Sequence, residues 1–141
     1  MAHVRRPDAL GVGRLVGPGL IVRVLFLDDD ATRHQRFRFN HAREWQIVPV
    51  WNYVQACVAL DEEEPFDAAF LDHDLGLTDD GTADRETTGH DVALYIAAML
   101  PARRPRKIVI HSWNIGGARR MEATLAAAGC VVQIAPFGPL L

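Results

Sequence analysis

The chain has 141 residues, 49% of them apolar and 23% charged, with a formal charge of −3. That suffices for one domain around a single core, and the slight acidity excludes a broad basic face for duplex nucleic acid while leaving room for a small nucleotide. No apolar run reaches the roughly 18 residues of a membrane-spanning helix, and Cys57 and Cys130 lie in apolar contexts without CxxC spacing, which predicts buried, reduced thiols in a cytoplasmic protein.

Residues 1–20 hold Pro7, Gly11, Gly13, Gly17, Pro18 and Gly19 with little periodicity, which predicts an irregular extension before a domain over 21–141. Its Arg5-Arg6 pair is followed by a glycine-broken segment, a poor signal peptide. Residues 21–27 form the first predicted strand. Asp30 is placed to cap a helix over 31–44. A second strand spans 47–51, and Asn52 caps a helix through 61 whose apolar positions Val54, Val58 and Ala59 fit the helical period. Glu62, Glu63, Glu64 and Pro65 end it as a solvated turn.

The third strand, 67–71, leads into a loop over 76–89 that is long for a strand-to-helix connection, where roughly 2–6 residues are typical; loops of that length are often lids or binding loops. A helix over 91–100 presents Val92, Ile96 and Met99 on one face and stops at Pro101. Arg103, Arg104, Arg106 and Lys107 read as a solvated basic linker. A fourth strand over 108–110, a helix over 117–128 with Ala118, Met121 and Leu125 inward, a stop at Gly129 and a fifth strand over 131–135 complete the pattern. Five alternations predict a doubly wound α/β fold with a parallel sheet and right-handed crossovers. No helix is predicted after the fifth strand, so one flank of the sheet needs cover from the extension or from a second copy in a homodimer.

Three predicted strands end in reactive side chains. The first runs into Asp28, Asp29 and Asp30, the third into Asp72, His73 and Asp74, and the fourth into His111, Ser112, Trp113 and Asn114. The carboxyl edge of an open parallel sheet is where ligands bind. Carboxylates that close together need a cation among them or shifted pKa values. Asp28, Asp29 and Asp72 are candidate ligands of a hard divalent cation, Mg²⁺ or Mn²⁺, with Asp74 adding its carboxylate from two residues on. His73, His111 and His90 are candidate catalytic groups, with two jobs open: general acid–base transfer, or ligation that favours Mn, Fe or Zn. His34 and His41 fall inside the first helix and read as structural. Gly116 and Gly117 after Asn114 open a helix, where backbone N–H groups can approach an anion. Arg33 and Ser112 are placed to reach the same phosphate, and Trp113 either stacks on a base or caps the core.

Over about residues 21–136 these motifs resemble the receiver domain of two-component response regulators. Asp28 and Asp29 match the receiver's acid pair, Asp72 its phosphoacceptor and Ser112 its serine or threonine. The resemblance implies a five-stranded sheet in the order 2-1-3-4-5. Where the receiver's last strand delivers Lys-Pro, this chain has Ala135-Pro136, which puts a phospho-aspartate signalling cycle at Asp72 in doubt. The runs Leu-Asp-His-Asp-Leu-Gly, Thr-Gly-His-Asp and His-Ser-Trp-Asn are similar to a divergent branch, the cyclic-phosphate-processing receiver-like domains. That resemblance implies a hydrolytic role on cyclic phosphates; joined to the acid rim, it predicts a metal-dependent phosphoesterase opening a cyclic phosphate on a nucleotide or RNA end, in which the acids hold the cation and His111 shuttles the proton. The alternative is an atypical receiver or a metal- or nucleotide-binding module without turnover.

Overall fold

A computed structural model describes residues 8–62, 64–76, 87–138 and 141. Strands β1 (Val22–Leu27), β2 (Trp45–Val50), β3 (Ala68–Leu71), β4 (Lys107–Ile110) and β5 (Val132–Ile134) form one parallel sheet in the order β2-β1-β3-β4-β5. The crossovers carry α1 (Ala31–His41), α2 (Tyr53–Leu60), α3 (Gly89–Ala98) and α4 (Ile115–Ala127). Among the described residues no helix follows β5, and none is long and apolar enough to cross a membrane.

The caps fall where the polar residues lie. Asp30 accepts from Arg33 N and Asn52 from Gln55 N. Thr88 and Asp91 close a reciprocal capping box at the start of α3. Each satisfies N–H groups that a helix start otherwise leaves unpaired. Gly129 follows α4 at φ 90, a left-handed conformation that only glycine adopts without strain.

Strand alternation divides the interior into two layers. Leu25, Leu27, Ala69, Leu71, Ile108 and Ile110 face α2, α3 and α4, meeting Ala56, Leu60, Val92, Ile96, Met121 and Leu125. Val22, Val24, Phe26, Ala68, Phe70 and Val109 face the other way, onto Phe37 of α1. There Leu10 and Val12, Phe137 and Leu141 fill the space beside α1. The flank expected to be bare is thus covered from within the chain: a 3-10 turn at Val12–Leu15 lies on it, and Asn40 Nδ2 and His41 Nε2 meet the Leu141 carbonyl oxygen.

Three expectations need correction. In α2 the inward stripe is Ala56, Ala59 and Leu60, and Val54 and Val58 point to solvent, because the helix packs one step further round than the valine spacing suggested. The basic linker is not merely solvated. Arg104 donates to the carbonyls of Ile96, Ala97 and Met99 at the end of α3 and of Ala128 after α4, neutralising two negative helix ends with one guanidinium. Arg106 and Lys107 donate to the Leu15 and Leu10 carbonyls and tie the amino-terminal segment down. Cys57 and Cys130 are free thiols as expected, though only half-buried. Most of the long loop expected over 76–89 lies outside the described residues.

Candidate functional site

The register explains which rim residues meet. Leu27 pairs with Leu71 and Leu71 with Ile110, and the ladder continues one step through Asp72 N to Leu27 O and His111 N to Leu71 O. Asp28, Asp72 and His111 therefore stand in one row, each continuing the face of Phe26, Phe70 and Val109. Their nearest ligand atoms all lie within 4.8 Å of one another, and all three residues are buried.

Arg33, at the third position of α1, lays its guanidinium over this row. Its Nε donates to Asp28 Oδ2 at 2.7 Å and its Nη2 to Asp28 Oδ1 at 2.9 Å. The same Nη2 lies 3.4 Å from Asp72 Oδ2 and 3.6 Å from Asp29 Oδ1. Asp28 also accepts from Asp30 N at 2.8 Å, and His111 Nε2 lies 2.9 Å from Oδ2. Asp28 thus accepts four hydrogen bonds, matching the roughly four lone-pair sites of a carboxylate. Among the described residues His111 Nδ1 has no partner, so Nε2 carries the proton and donates it: a stranded lone pair costs less than a stranded N–H.

The electrostatics follow. Burial alone would raise Asp28, but the hydrogen bonds from His111 and Arg33 outweigh it and hold the group at about 2. Arg33 is pushed up by its bond to Asp28. Asp72 is raised, chiefly by burial, against the opposing pull of His111. Phe26 stacks on His111 with ring centroids 4.9 Å apart, which keeps the imidazole edge-on to Asp28.

The alternate residues, one step on, turn to the α4 face. His73 lies against Gly117, where a Cβ would come within 2.5 Å of the ring. Its Nδ1 stands 2.7 Å from Asp74 Oδ1 and donates to that carboxylate, leaving Nε2 with its lone pair. The bond from His73 is the main reason Asp74 sits below the usual carboxylate range. Asn114 Nδ2 supports the pair at 3.3 Å from Asp74 Oδ1. The Asp72–His73 peptide joins the two faces, because His73 N donates to Asp72 Oδ1 at 2.9 Å.

Several candidates have other tasks. Asp74 follows β3 in a loop, so the two-residue alternation no longer holds and its exposed carboxylate serves His73 rather than the acid row. Asp29 turns one oxygen to Gly76 N at 2.8 Å. His90 is outside both clusters, its Nε2 2.9 Å from Thr124 Oγ1 across the α3–α4 contact. Gly117 N is taken by the cap from Asn114 Oδ1 at 3.0 Å, so this glycine serves the His73 ring rather than an anion. Gly116 is exposed, and buried Ser112 accepts from Asn114 N. Trp113 does not cap the core: it is 69% exposed and donates its indole N–H to Phe137 O. One partner was hidden in the sequence. His34 Nε2 donates to the Asp28 backbone oxygen at 2.8 Å, and only its place one turn along α1, beside Arg33, hinted at this.

A cleft of about 700 Å³ lies at the amino end of the sheet, lined by Leu10, Val22, Trp45 and their neighbours, opposite the charged rim.

The donor set fits a divalent cation in part. Three carboxylates against one guanidinium leave a net charge near −2, and Asp72 Oδ2 and Asp29 Oδ1 have only long contacts to Arg33. Asp28 and His111 can join them only by giving up present bonds.

A 2-1-3-4-5 parallel sheet with an acid pair after β1 and an aspartate after β3 defines a receiver-type α/β domain. Solved receivers are similar in fold. A CheY-like receiver domain from Methylobacillus flagellatus has a TM-score of 0.61 at 18% identity, covering 85% of this chain and 88% of that one. The receiver of a Pseudomonas aeruginosa sensor histidine kinase, with a magnesium ion in its active site cleft, scores 0.59 at 19% identity over 84% and 88%. A Burkholderia pseudomallei response regulator with a phosphorylated aspartic acid, calcium and citrate scores 0.59 at 15% identity; the match covers 84% of this chain and only 62% of that one. No curated protein matches the chain. The family profile described as the Cyclic-phosphate processing Receiver domain matches residues 23–127. The chain belongs to that family.

Proposed function

We propose that this domain is a metal-assisted phosphoesterase that opens a cyclic phosphate on a small nucleotide or an RNA end. The observation that carries the reading is the pairing of an acid–guanidinium row with a carboxylate-oriented imidazole, joined through the Asp72–His73 peptide. Family membership supports the substrate class. Asp29 and Asp72 would hold a hard divalent cation, Mg²⁺ or Mn²⁺, with Asp28 joining when Arg33 leaves it. When bound, such an ion neutralises phosphoryl oxygens and lowers the pKa of a water.

The chain's own groups supply the rest. Arg33 offers a bidentate fork to phosphoryl oxygens. His73 is the better proton carrier of the rim pair, since Asp74 fixes its Nδ1–H and frees Nε2, whereas His111 has its Nε2 committed to Asp28. His111 acts here as a positioning residue. A transition metal becomes the better choice only where His111 Nε2 ligates.

The test is a phosphodiesterase screen with cyclic mono- and dinucleotides and 2′,3′-cyclic phosphate RNA ends, with Mg²⁺ and Mn²⁺ tried separately. His73→Ala should lower turnover by about 10²–10⁴ while leaving metal binding intact, the usual range for a general acid–base group. Asp72→Asn should lose both. If the wild-type chain turns over none of these substrates with either metal, the enzyme reading fails and a binding module remains.

A further inference from the structure

We propose that Arg33 is an exchangeable internal cation: it closes Asp28 to a metal ion until a phosphoryl group draws the guanidinium away, so that metal and phosphate bind with positive coupling. The inference rests on reading this rim as a metal and phosphate site. Lone pairs carry the argument. Of the four contacts that fill Asp28, two come from Arg33, one on each oxygen. Withdrawing that side chain frees both oxygens, while Asp30 N and His111 Nε2 stay to hold the carboxylate in place.

The asymmetry of burial says which partner moves. The Asp28 side chain is 0% exposed and sits at a strand end, whereas the Arg33 side chain is 33% exposed on a flexible stem. The guanidinium already touches solvent, so swinging outward buries no charge. Its contacts to Asp72 and Asp29, at 3.4 and 3.6 Å, are too long to anchor it there. A phosphoryl group offers the same bidentate geometry as a carboxylate with more negative charge, so the fork has a competing acceptor. Beneath it, Asp28 and Asp72 already bring carboxylate oxygens within 4.8 Å of one another. An immobile structural ion pair would be expected to seal the arginine in as well, and it does not.

Coupling of this kind is reciprocal, because each ligand must tighten the other by the same factor. The experiment is calorimetric titration of Mg²⁺ into the intact chain, with and without inorganic phosphate, corrected for association of Mg²⁺ and phosphate in a protein-free blank. Wild type should bind Mg²⁺ about tenfold more tightly with phosphate present, within the usual range of coupling. Arg33→Gln should bind Mg²⁺ about tenfold more tightly than wild type without phosphate, and phosphate should add nothing further. Arg33→Lys, which keeps the charge but loses the fork, should fall between; it also serves if Arg33→Gln fails to fold. Wild type that binds both ligands without coupling overturns the exchange and leaves the phosphoesterase reading standing, as does an Arg33 variant that binds Mg²⁺ no better. Failure of wild type to bind either ligand overturns both.

Discussion

Asp28 is the most constrained titratable group in the described chain, and its linkage to stability has a definite sign. Its folded pKa of about 2 lies below its ordinary 3.8, so its contribution is present above pH 4 and disappears as pH falls toward 2. A shift of that size corresponds to something of order 2 kcal/mol. Asp72 works in the opposite sense. Burial raises it, so the stability tied to its protonated form is lost as pH rises through its elevated value. Denaturant unfolding of wild type and Asp28→Asn should therefore show a wild-type advantage at pH 5 that exceeds the one at pH 2 by order 2 kcal/mol. An advantage that does not change with pH would mean that Asp28 matters only for its shape. The convergence of Asp28, Asp72 and His111 was legible from the sequence, because each continues a two-residue alternation off the end of a strand. The saturation of Asp28 was not, since it depends on where one arginine side chain lies.

The elements that carry the rim are held by close approaches as well as by caps. Gly89 opens α3 against the end of β3, where a Cβ would fall 1.8 Å from the Asp72 carbonyl oxygen and 2.9 Å from His73 Cα. Both obstacles are backbone, so neither can rotate aside. Gly89→Ala should cost about 3 kcal/mol, the upper end for overpacking, and should displace the Asp72–His73 peptide. Thr88→Ala, which removes only the cap, should cost about 1 kcal/mol. Equal losses in urea titrations of the two variants would show that the contact is relieved elsewhere. Caps at Asp30 and Asn52 were readable because polar residues before an apolar period have few other uses. The inward face of α2 and the role of Arg104 were not. The first depends on how a short helix rolls on the sheet, the second on two helix ends meeting far apart in sequence.

Across the molecule, the sheet's two layers are completed by different means. One is closed by three helices, the other by a single helix together with segments from both sides of the sheet domain. Leu10 and Val12 belong to that second layer, with Lys107 and Arg106 holding the segment's carbonyls. Leu10→Ala should therefore lower stability by about 2 kcal/mol, as deletion from a core does. Thermal or urea unfolding with no change would assign the segment to the surface. The glycines and the one proline of residues 8–20 had concealed this packing, because a short 3-10 turn leaves too little periodicity to read.

Three tryptophans stand at three depths. Trp45 stacks on buried His41 at 4.2 Å, Trp51 stacks on His34 at 3.8 Å, and Trp113 lies open to water. His34 also holds the backbone oxygen of Asp28, so the Trp51 ring touches an imidazole that touches the acid row. The chain thereby carries its own optical probes. Emission from Trp51 reports on the rim, Trp45 on the α1 layer at the opposite end of the sheet, and Trp113 on whatever approaches from solvent, with no label attached.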